Sequence, residues 1–586
     1  MYQNNILRAQ EMLNKLNAKK SFLSVSRLLL VLTAAYLFYL MVYQRNGSIG
    51  FWILLVLIVF VISVNYYSKI TARYEYYKAL KDINEEELAF LEGKHQFQNG
   101  EEFLDPKHAF SYDLDLFGKG SVFEFINRTG TSLGKQQLAF DLQQIPHKSK
   151  IEQRQETVKE LTQKLEFRQQ FQTLARLAKT SEYEDAAIKK WAGTISEKPG
   201  RIFTIAAILI PFLFFASLIV LILDLHSMAM RWTTFFFTIN LMMSGMTMKF
   251  ITSEIGRSDK IGHSLQQYSR MIQLFESENF QSTELQSLQK SLKVDNKTAT
   301  KTVNQLAALF EKLNTVANLF VFILFNGTFQ YHFWVHKQLL QWKYYNQQYL
   351  WQWIEMIGKV ESLNSFANFA YNNPDYQYAA ISDEELYFKQ LGHPLIDKNK
   401  RVRNDIDFSS HSFFILTGSN MSGKSTFLRT VGINLVLCYA GAPIDVVKAS
   451  VSPLPLWVSM RLTDSLSEGE SYFFAEVKRL KDIVSEAEKQ VVFVLLDEIL
   501  KGTNSDDKKS GTVGVIKKLN EFDVKGIIAT HDLEVCQVTK DYPSTMANKR
   551  FEVEIVDDEL QFDYRLKEGI CQNKNATFIM EKMNII

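Results

Sequence analysis

The residues in this sequence best suited to chemistry lie in a glycine-rich turn, ILTGSNMSGKST, at positions 415–426. Its two glycines, Lys424 and Ser425 fill every fixed position of the pattern G-x-x-x-x-G-K-[ST]. In that pattern backbone N–H groups surround phosphate oxygens, the lysine reaches the β- and γ-phosphates, and the serine hydroxyl binds Mg²⁺. The turn therefore predicts a site for ATP and Mg²⁺. The predicted nucleotide-binding residues are Gly418, Ser419, Asn420, Met421, Ser422, Gly423, Lys424, Ser425 and Thr426.

Two further strand-like runs end in residues that suit hydrolysis of a bound triphosphate. Residues 491–496 are apolar throughout, as in a strand that a parallel sheet buries on both faces, and Asp497 and Glu498 follow them. Asp497 is predicted to hold Mg²⁺ together with Ser425, and Glu498 to polarise the attacking water. Another such run, residues 527–530, precedes His531. We predict that His531 touches the γ-phosphate or the water, although alone it would more often be an ordinary strand-end residue. The predicted catalytic residues are Glu498, His531 and Lys424.

The elements around the turn follow the order that phosphate binding requires. Residues 413–416, FFIL, indicate a strand that leads into the turn. Residues 427–439 indicate a helix after it, whose positive N-terminus would face the same anion. The sequence therefore predicts an α/β P-loop ATPase domain in its C-terminal part.

Composition sets weaker limits. The chain has 586 residues and a formal net charge of +2, so any surface for nucleic acid would have to be local. Its three cysteines are far apart and form no metal-binding pattern, which fits a reducing compartment.

Four charge-free apolar runs predict transmembrane helices arranged as two hairpins. About 20 apolar residues cross the hydrocarbon core of a bilayer, and buried core helices are the alternative. A basic, amphipathic helix over residues 1–26 is predicted to precede the first run. The runs are 28–44 and 49–67 in the first hairpin, and 202–223 and 232–248 in the second.

A fifth apolar run, residues 316–335, is ambiguous. We interpret it as a buried helix of a soluble domain, because a fifth span would leave the ATPase domain on the side away from its nucleotide. Membrane association is the alternative. The polar or small residues that interrupt the run are Asn318, Asn326, Gly327, Gln330 and His332.

Lysine and arginine residues flank the four predicted spans on one side. The positive-inside rule then places both termini and residues 70–200 in the cytoplasm. The prediction is a multi-pass protein of a bacterial-type inner (cell) membrane, with lipid as a partner and the ATPase domain in the cytoplasm.

The middle of the chain is predicted to be all-α. Residues 71–115 are a charged helical connector, and residues 116–142 indicate helix, glycine-containing turn, helix. Apolar residues at i, i+3 and i+4 predict one long helix over 151–190 and further polar helices within 255–315 and 337–372.

Several segments resemble the MutS family of DNA mismatch repair ATPases. GSNMSGKSTFLR resembles that family's GPNMGGKST loop, LLDEILKGTNSDD its LLDEIGRGTS segment, and IIATHDLEV its ATH switch. DSLSEGESYFFAEV is similar to its DDLxxGxSTFxxEM segment, with Glu470 where an arginine is common and Tyr472 in place of a threonine. SVFEFINRTGTSLGKQQLAFDL resembles the start of its helical core domain.

The resemblance implies an ABC-like ATPase domain after an all-α core and lever domain, which transmembrane helices interrupt here. It also implies a homodimer in which Ser471 of one chain completes the partner's ATP site. The N-terminal mismatch-reading domain of the family is replaced by membrane spans. The predicted domains are 1–70 (basic helix and first hairpin), 71–115 (connector), 116–200 (helical core, first part), 201–250 (second hairpin), 251–385 (core and lever, second part) and 386–586 (ATPase).

The predicted function is a membrane-anchored ATPase whose dimer closes as a clamp on double-stranded DNA. The alternative is a membrane ATPase that passes its motion to an unknown protein or envelope partner without DNA. A nucleotide-gated transporter is disfavoured because the spans contain almost no ionisable residues.

A reporter fusion tests the predicted topology. Fused after Lys249, the reporter should score cytoplasmic, because four crossings return the chain to its starting side. Fused after Asp224, in the second predicted outer loop, it should score outside. The same score at both positions would contradict the second hairpin.

Overall fold

The structure, a computed structural model, describes residues 1–178, 182–194, 200–255, 259–294, 297–314, 319–419, 421–461, 472–556 and 559–571. A mostly helical part extends to Asn372, and an α/β part follows it. This division agrees with the predicted fold class.

The first two helices form a long antiparallel pair. They are α1 (Tyr2–Gln44) and α2 (Ile49–Leu91), joined by a turn in which Arg45 is left-handed, with φ 49°. The basic helix and the first predicted span are one continuous helix. The connector predicted as helical over 71–115 is helical only to Leu91, apart from a 3₁₀ turn at Glu101–Phe103. Gly93, with φ 71°, follows the last turn and ends the helix there.

Short helices follow in the first part of the helical core. The single helix predicted over 151–190 is wrong, because it divides at Lys164. The break at Lys164 lets Phe167 pack 5.4 Å from the ring of Phe280 on a later segment. The helices are α3 (Val122–Ile126), α4 (Ser132–Gln143), α5 (Lys148–Gln163), α6 (Leu165–Ala178) and α7 (Glu182–Gly193).

The second part of the helical core contains the second hairpin and a long final helix. The helices are α8 (Arg201–Ile222), α9 (Ala229–Ile255), α10 (Asp259–Ser277), α11 (Thr283–Ser291), α12 (Ala299–Asn314), α13 (Leu319–Phe329) and α14 (Tyr331–Asn372). A two-stranded ribbon of β1 (Lys293–Val294) and β2 (Lys297–Thr298) precedes α12.

Within the described residues, α1, α2 and α8 are long and apolar enough to cross a membrane. Helix α9 contains the fourth predicted span but falls outside this set. Threonines, Asn240 and Ser244 dilute its apolar stretch. The crossings themselves stay predictions.

The run predicted as one buried helix, 316–335, is divided in the structure. Helix α13 ends at Phe329, Gln330 takes the left-handed conformation with φ 55°, and α14 begins at Tyr331. Residues 316–318 lie outside the described part of the chain. Several apolar side chains of α13 are exposed, Leu324 among them, so the prediction of a wholly buried helix is wrong.

Helix α14 has 42 residues, or about 63 Å at 1.5 Å per residue, and joins the two parts of the molecule. It packs on α4, α5, α7, α9 and α12. Buried polar contacts attach the first hairpin to it: Asn368 Nδ2 donates to Glu87 at 2.9 Å, and Arg128 forms an ion pair with the same carboxylate.

The α/β part is built on a six-stranded sheet in which β8, β9, β10, β6 and β11 are parallel and β14 is an antiparallel edge. Its strands are β6 (Phe413–Thr417), β8 (Leu456–Ser459), β9 (Val492–Asp497), β10 (Val524–Thr530), β11 (Met546–Arg550) and β14 (Lys567–Glu568). A four-stranded sheet contains β3 (Ala380–Ile381), β4 (Tyr387–Leu391), β5 (Asn404–Asp407) and β7 (Lys448–Val451), and a hairpin contains β12 (Val553–Val556) and β13 (Glu559–Phe562).

Helices cover both faces of the large sheet. Alternate residues of β9 enter two hydrophobic cores, as the uninterrupted apolar run predicts: Phe493 joins the core shared with α15 and the helical part, and Val494 joins the core under α16 and α17. The helices are α15 (Lys424–Tyr439), α16 (Tyr472–Ala487), α17 (Ser505–Asn520) and α18 (Val538–Asp541), with a 3₁₀ turn at Val535–Gln537.

A buried carboxyl in α14 makes the stability of this fold depend on pH. Glu361 accepts hydrogen bonds from the backbone N–H groups of Gly130 (2.6 Å) and Thr131 (3.3 Å). Burial raises the pKa of Glu361 from 4.5 to about 7. The folded chain therefore holds this proton more tightly than the unfolded chain does. The contribution of this proton to the free energy of unfolding is complete below pH 4.5. It is lost as the pH rises to about 7.

We therefore expect the unfolding midpoint to fall between pH 5 and pH 8 more steeply in the wild type than in Glu361→Gln. The difference corresponds to at most about 3 kcal/mol of unfolding free energy. Thermal unfolding of the purified protein at a series of pH values measures it. Glu355→Gln, at an exposed position on the same helix, should keep the wild-type slope. Equal slopes in the Glu361→Gln protein and the wild type would contradict the assignment.

Candidate functional site

The three predicted strand ends meet at one edge of the large sheet. Thr417 of β6 lies opposite Thr530 of β10, and Ala529 of β10 lies opposite Asp497 of β9. The carboxyl ends of parallel strands share an edge, so the residues that follow each strand are brought together. Three segments that are distant in the sequence therefore face one another.

The glycine-rich turn opens directly into α15. Gly423 has φ 101°, a conformation that favours glycine, and Lys424 is the first residue of the helix. A side chain at Gly418 would lie 2.6 Å from Ser422 Oγ and 3.0 Å from the carbonyl oxygen of Phe551. The turn therefore needs both glycines to keep its backbone close. The predicted site residue Asn420 lies outside the described residues.

Lys424 points back into this turn. Its Nζ donates to the carbonyl oxygens of Gly418 (2.7 Å) and Ser419 (2.9 Å), and it lies 3.4 Å from His531 Nδ1. Burial lowers the pKa of Lys424, while the nearby carboxylates of Glu498 and Asp497 oppose this shift. The ammonium group is held where a phosphate chain wrapped by the turn would meet it.

Ser425 and Asp497 form the oxygen-rich side of the site. Ser425 Oγ donates to Asp497 Oδ2 at 2.5 Å. Within the described part of the chain, Asp497 Oδ1 is buried and has no hydrogen-bond partner. A hydroxyl and a carboxylate with a free oxygen suit Mg²⁺, which prefers oxygen ligands and binds through one or two carboxylates and phosphates. The residues present therefore fit the predicted metal.

Glu498 and His531 form a direct pair on the other side of Lys424. His531 Nε2 contacts Glu498 Oε1, and His531 Nδ1 lies 2.9 Å from the carbonyl oxygen of Gly418. The hydrogen bond from His531 is the main reason that the pKa of Glu498 falls to about 2. Lys501 Nζ, 3.7 Å from the second carboxylate oxygen, acts in the same direction. Glu498 is therefore a carboxylate at neutral pH, as a water-orienting group must be.

The backbone at Glu498 is unusual. Its φ is 50°, in the left-handed region that side chains other than glycine, asparagine and aspartate seldom occupy. The N–H of Glu498 still extends the sheet ladder by donating to Ala529 at 2.9 Å. The carboxylate thus leaves the strand at a fixed angle, towards His531.

Comparison with known proteins agrees with the arrangement of these segments. Residues 414–584 match the family model described as MutS domain V. This match supports membership of the MutS family. DNA mismatch repair protein MutS of Fervidobacterium nodosum is 32% identical over 224 residues, which cover 37% of this chain and 27% of that relative.

Other curated relatives cover the same share of the chain. DNA mismatch repair protein MutS of Aquifex pyrophilus is 30% identical over 220 residues, 36% of this chain and 25% of the relative. MutS protein homolog 4 of Homo sapiens is 27% identical over 237 residues, 39% of this chain and 25% of the relative. The aligned part of the chain thus spans about a quarter of the length of these MutS relatives.

Glu476 contributes to the site and was missed from the sequence. Glu476 of α16 accepts hydrogen bonds from the N–H groups of Leu500 (2.6 Å) and Lys501 (3.2 Å), and so holds the loop that follows Glu498 in place. It lies in the segment resembling DDLxxGxSTFxxEM, but nothing local in the sequence indicates that contact. The predicted site residue Ser471, in the same segment, lies outside the described residues.

A cleft lies beside the glycine-rich turn. It has a volume of about 460 Å³ and extends from the glycine-rich turn to β4 and the loop that follows β13. Its aromatic and apolar lining suits the flat face of a nucleobase, because such sites combine apolar walls with a few polar groups. The lining residues not predicted from sequence include His393, Ile396, Val402, Phe551 and Tyr564.

The geometry of Glu498 predicts the effect of one substitution. Glu498→Gln should retain ATP binding but reduce turnover by about 100-fold or more, because the amide cannot accept the proton of the attacking water. Nucleotide binding and phosphate release, measured on the same preparation, separate these two effects. Glu521→Gln, an exposed substitution in the same domain, should leave both unchanged. Normal turnover in Glu498→Gln would contradict the assigned role.

Proposed function

We propose that this protein is a membrane-anchored ATPase of the MutS type, which hydrolyses ATP to ADP and phosphate with Mg²⁺. One observation carries the proposal: a lysine, a serine–aspartate pair and a glutamate–histidine pair converge at the edge of one parallel sheet. The match to MutS domain V supports ATPase activity at the level of the family.

Each group has a role that follows from its position. The backbone N–H groups of the turn and Lys424 hold the phosphates, and Ser425 and Asp497 provide the oxygens for the metal. Mg²⁺ held by these oxygens would offset the negative charge of the phosphates. The carboxylate of Glu498 orients the attacking water and accepts its proton. His531, between Glu498 and Lys424, is placed to report whether the γ-phosphate is present.

The active species is proposed to be a homodimer. The MutS resemblance implies that Ser471 reaches the partner's γ-phosphate. Helix α16 begins at the residue after that serine and contains Glu476. The carboxylate of Glu476 accepts a hydrogen bond from the loop after Glu498 in the same chain. A movement of Ser471 towards the partner's nucleotide would therefore be transmitted to its own water-orienting glutamate.

The proposed location is a bacterial-type inner (cell) membrane, with the ATPase domain in the cytoplasm. Helices α1, α2 and α8 are long and apolar enough to cross, and their large apolar residues lie on the surface, for example Leu29, Trp52 and Phe212. Such continuous apolar surface is unfavourable in water and favourable in lipid.

The first candidate for what the motion acts on is double-stranded DNA. The curated relatives are named as DNA mismatch repair proteins. The MutS resemblance implies lever helices that close as a clamp. We propose that the helices before β3, α14 above all, serve as the lever of this chain.

The second candidate is a protein or envelope partner, reached through the membrane hairpins. A specific contact favours it: α14 packs directly on α9 of the second hairpin, where Gln330 Nε2 donates to Asn240 Oδ1 at 3.0 Å. A lever fixed to a membrane helix is well placed to move that helix.

A salt series distinguishes the two candidates once turnover has been measured in the purified, lipid-reconstituted protein. A clamp that contacts several phosphates should lose affinity for duplex DNA by roughly a thousandfold between about 50 and 200 mM salt. The Glu498→Gln protein with ATP, which holds the closed dimer, gives the most sensitive binding measurement. Absence of binding at low salt would exclude the DNA clamp, and absence of ATP binding would contradict the ATPase itself.

A further inference from the structure

Helix α13 has two very different faces. One packs on α8, α9 and α14. The other exposes large apolar side chains: Ile323 at 39%, Leu324 at 56%, Phe325 at 42% and Phe329 at 53%. Exposed apolar surface of this density marks contact with another apolar phase or molecule.

The chain turns back on itself directly after this helix. Gln330 is left-handed and separates α13 from α14. The rings of Phe325 and Tyr331 are 5.9 Å apart, and those of Phe322 and His332 are 5.6 Å apart. The last turns of α13 and the first turn of α14 therefore form a tight helical hairpin with its tip at Gln330.

Protein groups pair with most of the polar atoms at this tip, and among the described residues His332 Nε2 is buried without a hydrogen-bond partner. Asn240 Nδ2 donates to the carbonyl oxygen of Gly327 at 3.0 Å, and Ser244 Oγ donates to Gln330 Oε1 at 3.0 Å. The N–H of His332 donates to Asn326 Oδ1 at 3.0 Å. A break in a helix is tolerated at membrane depth only where neighbouring protein groups satisfy the freed backbone in this way.

The tip lies far along the second hairpin. The ring of Phe333 in α14 is 5.4 Å from that of Phe203, close to the start of α8. The ring of Phe329 is 5.1 Å from that of Phe215, 12 residues or about 18 Å further along α8. In α9, Phe237 packs so closely on Gly327 that a Cβ there would lie 2.2 Å from its ring. The tip is therefore level with the middle of the apolar helices and not with their ends.

We propose that α13 and the first turn of α14 form a re-entrant hairpin in the hydrocarbon core of the bilayer, where lipid acyl chains cover the exposed face of α13. The inference rests on the proposed membrane anchoring of α8 and α9. With 11 residues, or about 17 Å, α13 reaches only about half of the hydrocarbon core and cannot cross it. The chain enters and leaves on the cytoplasmic side, so the ATPase domain stays with its nucleotide.

Acyl chains are the occupant favoured by continuity. The exposed face of α13 adjoins the apolar surfaces of α8 and α9, which include Ile208, Leu209 and Phe235. Its exposed positions from 323 to 325 contain no polar residue that could bind a polar partner. The lever helix α14 would then begin inside the bilayer and end at the ATPase domain.

Quenching of a fluorophore by lipid tests this inference in the full-length protein, reconstituted in phosphatidylcholine–phosphatidylglycerol vesicles. The three native cysteines are buried, so the wild type serves as the labelling blank. A maleimide fluorophore is placed on Leu324→Cys in α13, on Leu209→Cys in α8, and on Val447→Cys, an exposed apolar position of the ATPase domain. Quenchers are attached either to the middle of the acyl chain or to the lipid headgroup.

We expect the acyl-chain quencher to reduce emission from position 324 as strongly as from position 209, with no loss at 447. Quenching at 209 but not at 324, or quenching at 324 by the headgroup lipid alone, would overturn the re-entrant hairpin and leave the anchoring intact. Loss of quenching at both 209 and 324 would overturn the anchoring proposal, and the inference with it.

Discussion

The carboxyl ends of β6, β9 and β10 share one edge of a parallel sheet. The charges of the candidate site balance one another only because these strands pair in this register. Lys424 lies between Gly418 and His531, and His531 in turn contacts Glu498. In this position the ammonium group supports the ionised state of Glu498, and the carboxylates support the charge of the lysine against its burial. A shift of one strand by one residue would send these side chains to the opposite face. The site is thus a property of the register of the sheet more than of any single motif.

Buried polar contacts connect this edge to the rest of the chain. Asp113, in the loop before α3, accepts hydrogen bonds at 2.8 Å from the N–H groups of Met460 and Arg461, where the described chain stops before the segment that contains Ser471. Glu476 holds the loop after Glu498 from the other end of that segment. Breaking either contact would leave a buried polar group without a partner, which costs more than an ordinary hydrogen bond contributes. Asp113 thus attaches the helical core to the chain at Met460 and Arg461, and Glu476 attaches α16 to the loop after Glu498.

The sequence predicted which segments meet at the candidate site because each part has a local signature. The glycine turn, the apolar run before Asp497 and the strand before His531 can each be recognised within about ten residues. What could not be predicted depends on contacts between distant segments. The break at Lys164 lets Phe167 reach Phe280, the grip of Glu476 needs α16 beside the loop at Leu500, and the left-handed backbone of Glu498 has no sequence signal. The prediction that the connector is helical throughout is wrong for a local reason, since Gly93 at positive φ ends α2 at Leu91.

The residues around Gln330 show why the run 316–335 is not one buried helix. Asn326, Gln330 and His332 argue against a span when they are counted as isolated polar residues. In the fold Gln330 forms hydrogen bonds with Asn240 and Ser244 of α9, and the N–H of His332 donates to Asn326. Polar groups that pair with each other cost little free energy in an apolar environment. An unpaired polar group in hydrocarbon costs on the order of several kcal/mol. The pairing also fixes one end of α14 to the second hairpin, while Glu87 and Arg128 fix its other half to the first. A helix held at both ends by buried polar contacts can transmit displacement along its length. Neither end can move away from its partners without leaving polar groups unpaired.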